Sequence, residues 1–231
     1  MKRADSSVEI AKAIAANSLL SLLETREQHA LTTSAQLQRF AKNQTIYKEG
    51  DAATEVWIVI SGQVKIVKFS EGGSVLALEL MIASEIFGAV FYADNPTYPC
   101  TALAVRETAV VKFQVAKLFS LLEKSAPLQK AMLGETCRRF CHAQNMRGLA
   151  MESAAKRVAY ALVYLHGKFG DEIPHSRATL AELAGTTVET AIRITSALSK
   201  QSMIATKRGR IEVLTLGRLK KLVFGVAART K

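Results

Sequence analysis

Thr179–Arg210, TLAELAGTTVETAIRITSALSKQSMIATKRGR, decides how this chain is read. It has the pattern of two short helices around a tight turn, followed by a basic hairpin: a helix-turn-helix with a wing. Thr179, with Glu182 three residues later, has the form of a capping box and predicts a helix start. Gly185 supplies the positive φ that ends that helix, and Thr187 can cap the next one. In the second helix Ala191, Ile194 and Leu198 recur at i, i+3 and i+7, predicting an inward face. Glu189, Arg193, Ser196 and Lys200 are left as an outward stripe. An apolar back with a polar, hydrogen-bonding front suits a helix that enters the DNA major groove. From the stripe alone, an ordinary surface helix with a Glu189–Arg193 ion pair reads equally well. The turn before it and the basic hairpin after it tip the reading to DNA.

Charge points the same way. The 231 residues carry a net charge of +11, unevenly placed. Residues 151–231 hold 14 Lys+Arg against 6 Asp+Glu, whereas residues 1–150 hold 17 against 14. Basic charge gathered on the last third is the footprint of a polyanion-binding module, because neutralised phosphates release their counterions. The chain is 49% apolar, which excludes wholesale disorder. MKRADSSVEIAK at the N-terminus has no apolar core of a signal peptide, and no apolar run is long enough to span a bilayer. Cys100, Cys137 and Cys141 are an odd number and do not suggest a disulfide framework. A cytoplasmic protein with no membrane partner is the expectation. A Walker loop, GxSxG, HExxH and paired Cys-x-x-Cys are all absent, so the expectation is also that this is not an enzyme.

Upstream, residues 1 to about 30 have partial helical spacing through Ile10, Ala13, Ile14 and Leu19–Leu23. From Thr45 to Phe113 short β-branched runs predict strands at Val56–Ile60, Val64–Phe69, Val75–Met81, Thr101–Val105 and Val110–Phe113. Gly- and Asn-containing turns separate them, as expected of an antiparallel sandwich or roll. Ala116 to about Leu149 then predicts a short helix, a break near Ser125-Ala126-Pro127 and a long helix. Leu133, Cys137 and Phe140 have 4,3 spacing, which fits either a seam against a second copy or packing on the helix's own sheet. Gly148–Glu152 reads as a hinge. Ser153 can cap a further amphipathic helix over 154–168, with Val158, Ala161, Leu162 and Leu165 inward.

A strand-rich roll, a long helix and a winged helix-turn-helix, in that order, resemble the cyclic-AMP receptor / fumarate-nitrate reduction regulator (CRP/FNR) family over roughly Leu19 to Leu222. The resemblance is carried by Glu49-Gly50-Asp51, Ser61-Gly62-Gln63-Val64-Lys65, Phe87-Gly88, Lys156-Arg157-Val158-Ala159 and Leu180–Thr190 with Arg193. It implies an α+β fold: an N-terminal cyclic-nucleotide-binding-like β-roll, a long connecting dimerisation helix and a C-terminal winged helix-turn-helix. The divisions fall at 1–115, 116–150 and 151–231. It implies a homodimeric transcription regulator on a palindromic duplex, with RNA polymerase as a further partner.

For DNA reading, Arg193 would donate to a guanine O6/N7 edge, Glu189 accept from a cytosine amine, and Val188 meet a thymine methyl. Val, Glu and Arg at these places resemble members that read TTGA-like half-sites. Ile192 departs from the Ser or Gly common in the family. Thr187 and Thr190 are placed for phosphates at the helix N-terminus, and Lys207, Arg208 and Arg210 for phosphates from the wing.

The resemblance also shows what the roll lacks. Members that bind cyclic AMP carry Gly-Glu after the Phe, then Arg-Ser. Here the runs are Phe87-Gly88-Ala89-Val90 and Tyr98-Pro99-Cys100-Thr101. Ala89 stands for the Glu and Tyr98-Pro99 for the Arg-Ser. A buried phosphate without its cation is costly, so cyclic AMP is an unfavourable ligand. Tyr-Pro resembles a branch concerned with anaerobic respiration and nitrogen oxides, some of whose members use haem. Cys141 and His142 would then face the effector pocket, and His142 could ligate haem iron. A partly buried structural His fits as well. An iron–sulfur cluster needs four cysteines, and this chain has three. Effector-independent or redox-responsive DNA binding is the alternative.

Overall fold

The computed structural model describes residues 2–89 and 96–225, so Val90 lies outside the described residues. The chain forms two compact units. Residues 1–68 with 79–140 make the first, and residues 69–78 with 141–231 the second.

The first unit opens with α1 (Lys2–Ala16), which buries Ile10, Ala13 and Ile14. The Asn17 side chain ends it by accepting from the amides of Leu19 and Leu20, both at 3.0 Å, and a 3-10 turn follows at Leu20–Leu22. α2 (Thr25–Ser34) starts at a reciprocal Glu24–Glu27 capping box. The strands are β1 (Gln36–Phe40), β2 (Thr45–Tyr47), β3 (Glu55–Ser61), β4 (Val64–Phe69), β5 (Val75–Met81), β6 (Ile86–Phe87), β7 (Thr101–Ala104) and β8 (Thr108–Gln114). They form two four-stranded sheets, β1-β8-β3-β6 and β2-β7-β4-β5. All five expected strands are present. β1, β2 and β6 were not expected: Gln36–Phe40 is polar, and Thr45–Tyr47 and Ile86–Phe87 are only three and two residues long.

One face of the first sheet packs under α1 and α2. Val56, Ile58, Val111 and Phe113 share a core with Ile14, Leu20 and Leu31. The other face turns inward between the sheets, where Trp57, Val59 and Val110 meet Tyr47, Phe87 and Tyr98. After β8 come α3 (Val115–Leu122) and α4 (Ala126–Leu149). The break falls at the expected place, with Pro127 in the first turn of α4 and the Ser125 hydroxyl accepting from the Leu128 amide at 3.3 Å. Leu128 is fully buried and Ala131 and Met132 pack on the core with it, whereas Leu133 and Phe140 are 64% and 62% exposed. The long helix therefore serves its own core at one end and still presents an apolar stripe outward.

The second unit contains α5 (Ala154–Phe169), β9 (Glu172–Ile173), α6 (Arg177–Ala184), α7 (Val188–Lys200), β10 (Ile204–Lys207), β11 (Arg210–Val213) and α8 (Leu216–Phe224). Ser153 caps α5 as expected, accepting from the Lys156 amide. Val158, Ala161, Leu162 and Leu165 are all buried. A β10-β11-β9 sheet closes the unit. One expectation is corrected here: Thr179 does not start α6. Ser176 holds the cap and accepts from the Thr179 amide, so Thr179 is already the third helical residue. A serine three residues earlier, in extended backbone, offers the same hydroxyl one turn sooner.

Candidate nucleic-acid interface

α6 and α7 meet at Gly185, whose φ of 56° is left-handed. A Cβ there would lie 3.3 Å from Leu76 Cδ1, so crowding adds to the backbone reason for glycine. Thr187 then caps α7: its hydroxyl accepts from the Thr190 amide at 3.2 Å and donates to the Thr190 hydroxyl at 3.1 Å. These contacts leave the first amides of α7 pointing outward at the positive end of the helix dipole, which suits a phosphate.

The inward face of α7 is the expected one, with Ala191, Ile194 and Leu198 buried and Thr195 added to them. The Thr195 hydroxyl is silenced by donation to the Ala191 carbonyl at 2.8 Å. Glu189, Arg193, Ser196 and Lys200 are exposed. Among the described residues no ion pair joins Glu189 to Arg193, so neither is neutralised by the other. Val188 and Ile192 stand beside this stripe at 40% and 41% exposure.

The wing is the β10–β11 hairpin, turned at Gly209, with Lys207 and Arg208 exposed at its tip. Arg210 is exposed too, and its guanidinium lies 3.1 Å from Glu172 on β9. Both partners of that pair are more than half exposed, so it is a weak contact that a phosphate can replace. Arg177 of α6 donates to the Thr206 hydroxyl at 2.8 Å and ties the wing to the helix pair.

One organising residue was not foreseen. Arg157 on α5 donates to the carbonyls of Ala184 at 2.8 Å, Gly185 at 3.3 Å and Glu152 at 2.7 Å. It fills the orphan carbonyls at the end of α6 and fixes the turn against α5. Its only signal in the sequence is membership of Lys156-Arg157-Val158-Ala159.

The candidate effector residues fall into three groups. Tyr98 lies inside the roll at 3% exposure, stacked on Tyr47 with ring centroids 3.7 Å apart. Trp57 Nε1 donates to the Tyr98 hydroxyl at 3.2 Å, and that hydroxyl donates to the Glu55 carbonyl at 2.7 Å. Gly88 has φ 74°, and a Cβ on it would come 2.7 Å from Trp57 Cδ1, so this aromatic cluster itself demands the glycine. Burial pushes the phenols of Tyr47 and Tyr98 up, and both stay neutral. At the place where the resemblance puts the arginine of cyclic-AMP-binding members, this roll holds an uncharged, hydrogen-bonded ring. Thr101 is likewise structural, its hydroxyl accepting from the Glu49 amide at 3.0 Å, and burial raises the Cys100 thiol.

Ala89 and Pro99 face elsewhere. With Ile86, Leu122, Met132 and Arg139 they line a cavity of about 690 Å³ between the roll and α3–α4. Cys141 is exposed. His142 has its Nδ1 2.8 Å from the Tyr160 hydroxyl and its Nε2 3.0 Å from the Leu78 carbonyl, with the Tyr164 ring stacked at 4.3 Å. An iron bond at either nitrogen would displace one of these contacts, so the ring as placed does not fit a haem ligand. Among the described residues no three His, Cys, Asp or Glu side chains converge as a metal site, and no helix is long and apolar enough to cross a membrane.

A roll carrying two antiparallel sheets and a winged helix-turn-helix with an exposed polar stripe define a class: DNA-binding regulators with a sensor-type domain. Residues 37–125 match the cyclic nucleotide-binding domain, and residues 156–222 match the Crp-like helix-turn-helix domain. The cyclic AMP receptor protein of Thermus thermophilus is 27% identical over 194 residues, covering 83% of this chain and 90% of that protein. The transcriptional activator FnrA of Stutzerimonas stutzeri is 24% identical, covering 75% and 74%. Among solved structures, FixK2 of Bradyrhizobium japonicum superposes with a TM-score of 0.73 at 22% identity, covering 85% of this chain and 99% of that one. The chain belongs to the CRP/FNR family. It is a DNA-binding transcription regulator of that type, not an enzyme.

Proposed function

We propose that the protein binds a palindromic operator with TTGA-like half-sites as a homodimer, under control that does not use cyclic AMP. The observation that carries this reading is the front of α7: Glu189 and Arg193 exposed, unpaired with each other, one turn apart on a helix with a buried back. Arg193 donates to guanine and Glu189 accepts from cytosine, while Thr187, Thr190, Lys207, Arg208 and Arg210 hold phosphates and Ser196 and Lys200 extend the stripe. The exposed α4 stripe of Leu133, Cys137 and Phe140 supplies the seam for a second copy. Two copies would present their recognition helices about 34 Å apart, one turn of the duplex.

The division of labour follows the sequence: 1–115 as sensor, 116–150 as connector and seam, 151–231 as DNA reader. RNA polymerase is the partner through which such a regulator acts, and the cytoplasm is where both meet. The aromatic filling of the roll favours control independent of a cyclic nucleotide, because the phosphate would find a neutral tyrosine instead of a cation. A nitrogen-oxide response through haem requires His142 to release Tyr160 or Leu78, and the geometry gives that reading less support than effector-independent or redox-responsive binding.

The test is selection of duplexes from a random library by the purified full chain, followed by anisotropy titration with and without cyclic AMP. An inverted repeat with unchanged affinity on adding the nucleotide is expected. Failure to enrich any inverted repeat overturns the operator reading, and a cyclic-AMP-dependent gain overturns the effector reading.

A further inference from the structure

Two large aliphatic side chains stand in the open on a helix whose other large apolar residues are inside. Val188 and Ile192 are 40% and 41% exposed, while Ala191, Ile194 and Leu198 are buried. They are four residues apart and so lie side by side on one ridge, with Ser196 next along it. The adjacent ridge carries Glu189 and Arg193. The front of α7 is therefore two parallel rows, one of hydrogen-bonding readers and one that begins with a pair of apolar residues.

In the major groove every base edge offers donors or acceptors, and one apolar group is available: the C5-methyl of thymine. An isoleucine laid against a cytosine amine or a guanine O6 strips water from a polar group and returns nothing. Against a thymine methyl it buries carbon on carbon. Val and Ile are β-branched and already stiff at χ1 in a helix, so little rotamer freedom remains to be lost on contact. Positions 188 and 192 are about 6 Å apart along the helix axis, a distance that covers base pairs within two steps of 3.4 Å.

With Val188 expected on one thymine methyl, we infer that Ile192 packs on the C5-methyl of a second pyrimidine in the half-site, making the two a methyl-reading pair, and that Ile192 sets the base choice next to the Arg193 contact. The inference rests on the proposal that α7 enters the major groove. It adds that recognition depends on 5-methylpyrimidines, thymine or 5-methylcytosine, at two nearby positions.

The experiment takes the inverted repeat selected by the full-length protein and replaces each thymine singly with deoxyuridine, which removes the methyl and keeps the pairing. Wild-type protein is expected to lose about four-fold affinity at each of two positions per half-site, the equilibrium equivalent of one buried methylene. Ile192→Ala should erase the sensitivity at one of them and Val188→Ala at the other. Placing 5-methylcytosine, paired with guanine, at the Ile192 position should bind more tightly than cytosine there. Both variants are at exposed positions, and an unchanged unfolding midpoint verifies the fold. If deoxyuridine is without effect everywhere while the selected duplex is still preferred over a scrambled one, methyl reading is overturned and major-groove binding stands. If sensitivity at both positions survives Ile192→Ala, the role given to Ile192 is overturned. If no inverted repeat is selected at all, the underlying operator reading fails, and this inference fails with it.

Discussion

The Arg157 guanidinium holds the carbonyl of Gly185 at 3.3 Å and that of Ala184 at 2.8 Å, so the turn of the helix-turn-helix is anchored to α5 as well as to its own two helices. Hydrogen bonds from a charged donor are worth more than neutral ones, and here they satisfy carbonyls that a helix end leaves open. Arg157→Ala should lower stability by about 1.5–3 kcal/mol. Arg157→Lys should recover only part of this, because one ammonium cannot match the guanidinium fork. Thermal unfolding monitored by circular dichroism gives the comparison. Equal stability of Arg157→Ala and wild type would show that the fork is incidental.

Arg193 makes the sharper claim about base reading. It is exposed, with no ion pair to Glu189 among the described residues, so its full donor set faces outward. Arg193→Ala should cost about 1–3 kcal/mol on the best duplex and flatten the preference at one base pair, leaving the salt dependence nearly intact. Loss of equal size on all sequences, with a shallower salt slope, would make it a phosphate contact instead.

Much of this interface was legible because its signals are local. Gly185, the Thr187 cap and the Ala191–Ile194–Leu198 period are each set within one or two helical turns. Five of the roll's eight strands were legible for the same reason, through β-branched runs bounded by turns. What escaped depends on distance in sequence. Arg157 reaches carbonyls 27 and 28 residues away. The Tyr98 ring, which lies before β7, fills the roll only because Tyr47, Trp57 and Phe87 arrive from three separate strands. Loss of an arginine at that place was readable; the aromatic replacement of a ligand's space was not. Thr179 went wrong for a smaller reason: two hydroxyl residues three apart offer the same cap, and the sequence does not rank them.

The stripe on α4 is tested through its most exposed members. Leu133 and Phe140 are seven residues apart, 64% and 62% exposed, with Cys137 between them. Replacing both with Glu places charge where a second helix would have to pack, and two like charges across a seam are repulsive. The variant should sediment as a monomer at concentrations where the wild type is a dimer. Operator affinity should fall by two orders of magnitude or more (roughly the avidity of a second reading head). A monomeric wild type would remove the seam altogether.

Cysteine reactivity separates the redox reading from the structural one. Cys137 and Cys141 are exposed, whereas Cys100 is half-buried and burial raises its thiol. The thiolate is the reactive form, so a raised pKa means less of it at neutral pH. Iodoacetamide at pH 7 should label Cys141 quickly and Cys100 slowly, with Cys137 shielded while two copies are paired and exposed once they separate, and the Cys100 rate should climb as the pH is raised. If Cys100 labels first, the roll is not a shielded environment and becomes the place to look for oxidant sensing.

Glu172 restrains Arg210 from the far side of the wing, at 3.1 Å. As an exposed pair it contributes little to folding, about 0–1 kcal/mol. On the proposed DNA interface its sign is opposite: the carboxylate would occupy a cation otherwise available to a phosphate and add a repulsive charge beside the backbone. Glu172→Gln should leave the unfolding midpoint nearly unchanged and tighten operator binding several-fold at low salt. The gain should shrink as salt rises, since each released counterion contributes about 0.9 to the slope of log K against log salt. Arg210→Gln should weaken binding and make the Glu172→Gln substitution much less effective in that background. Tighter binding from Glu172→Gln that persists undiminished without Arg210 would assign the effect to the removed charge alone, and Arg210 would lose its place among the phosphate contacts.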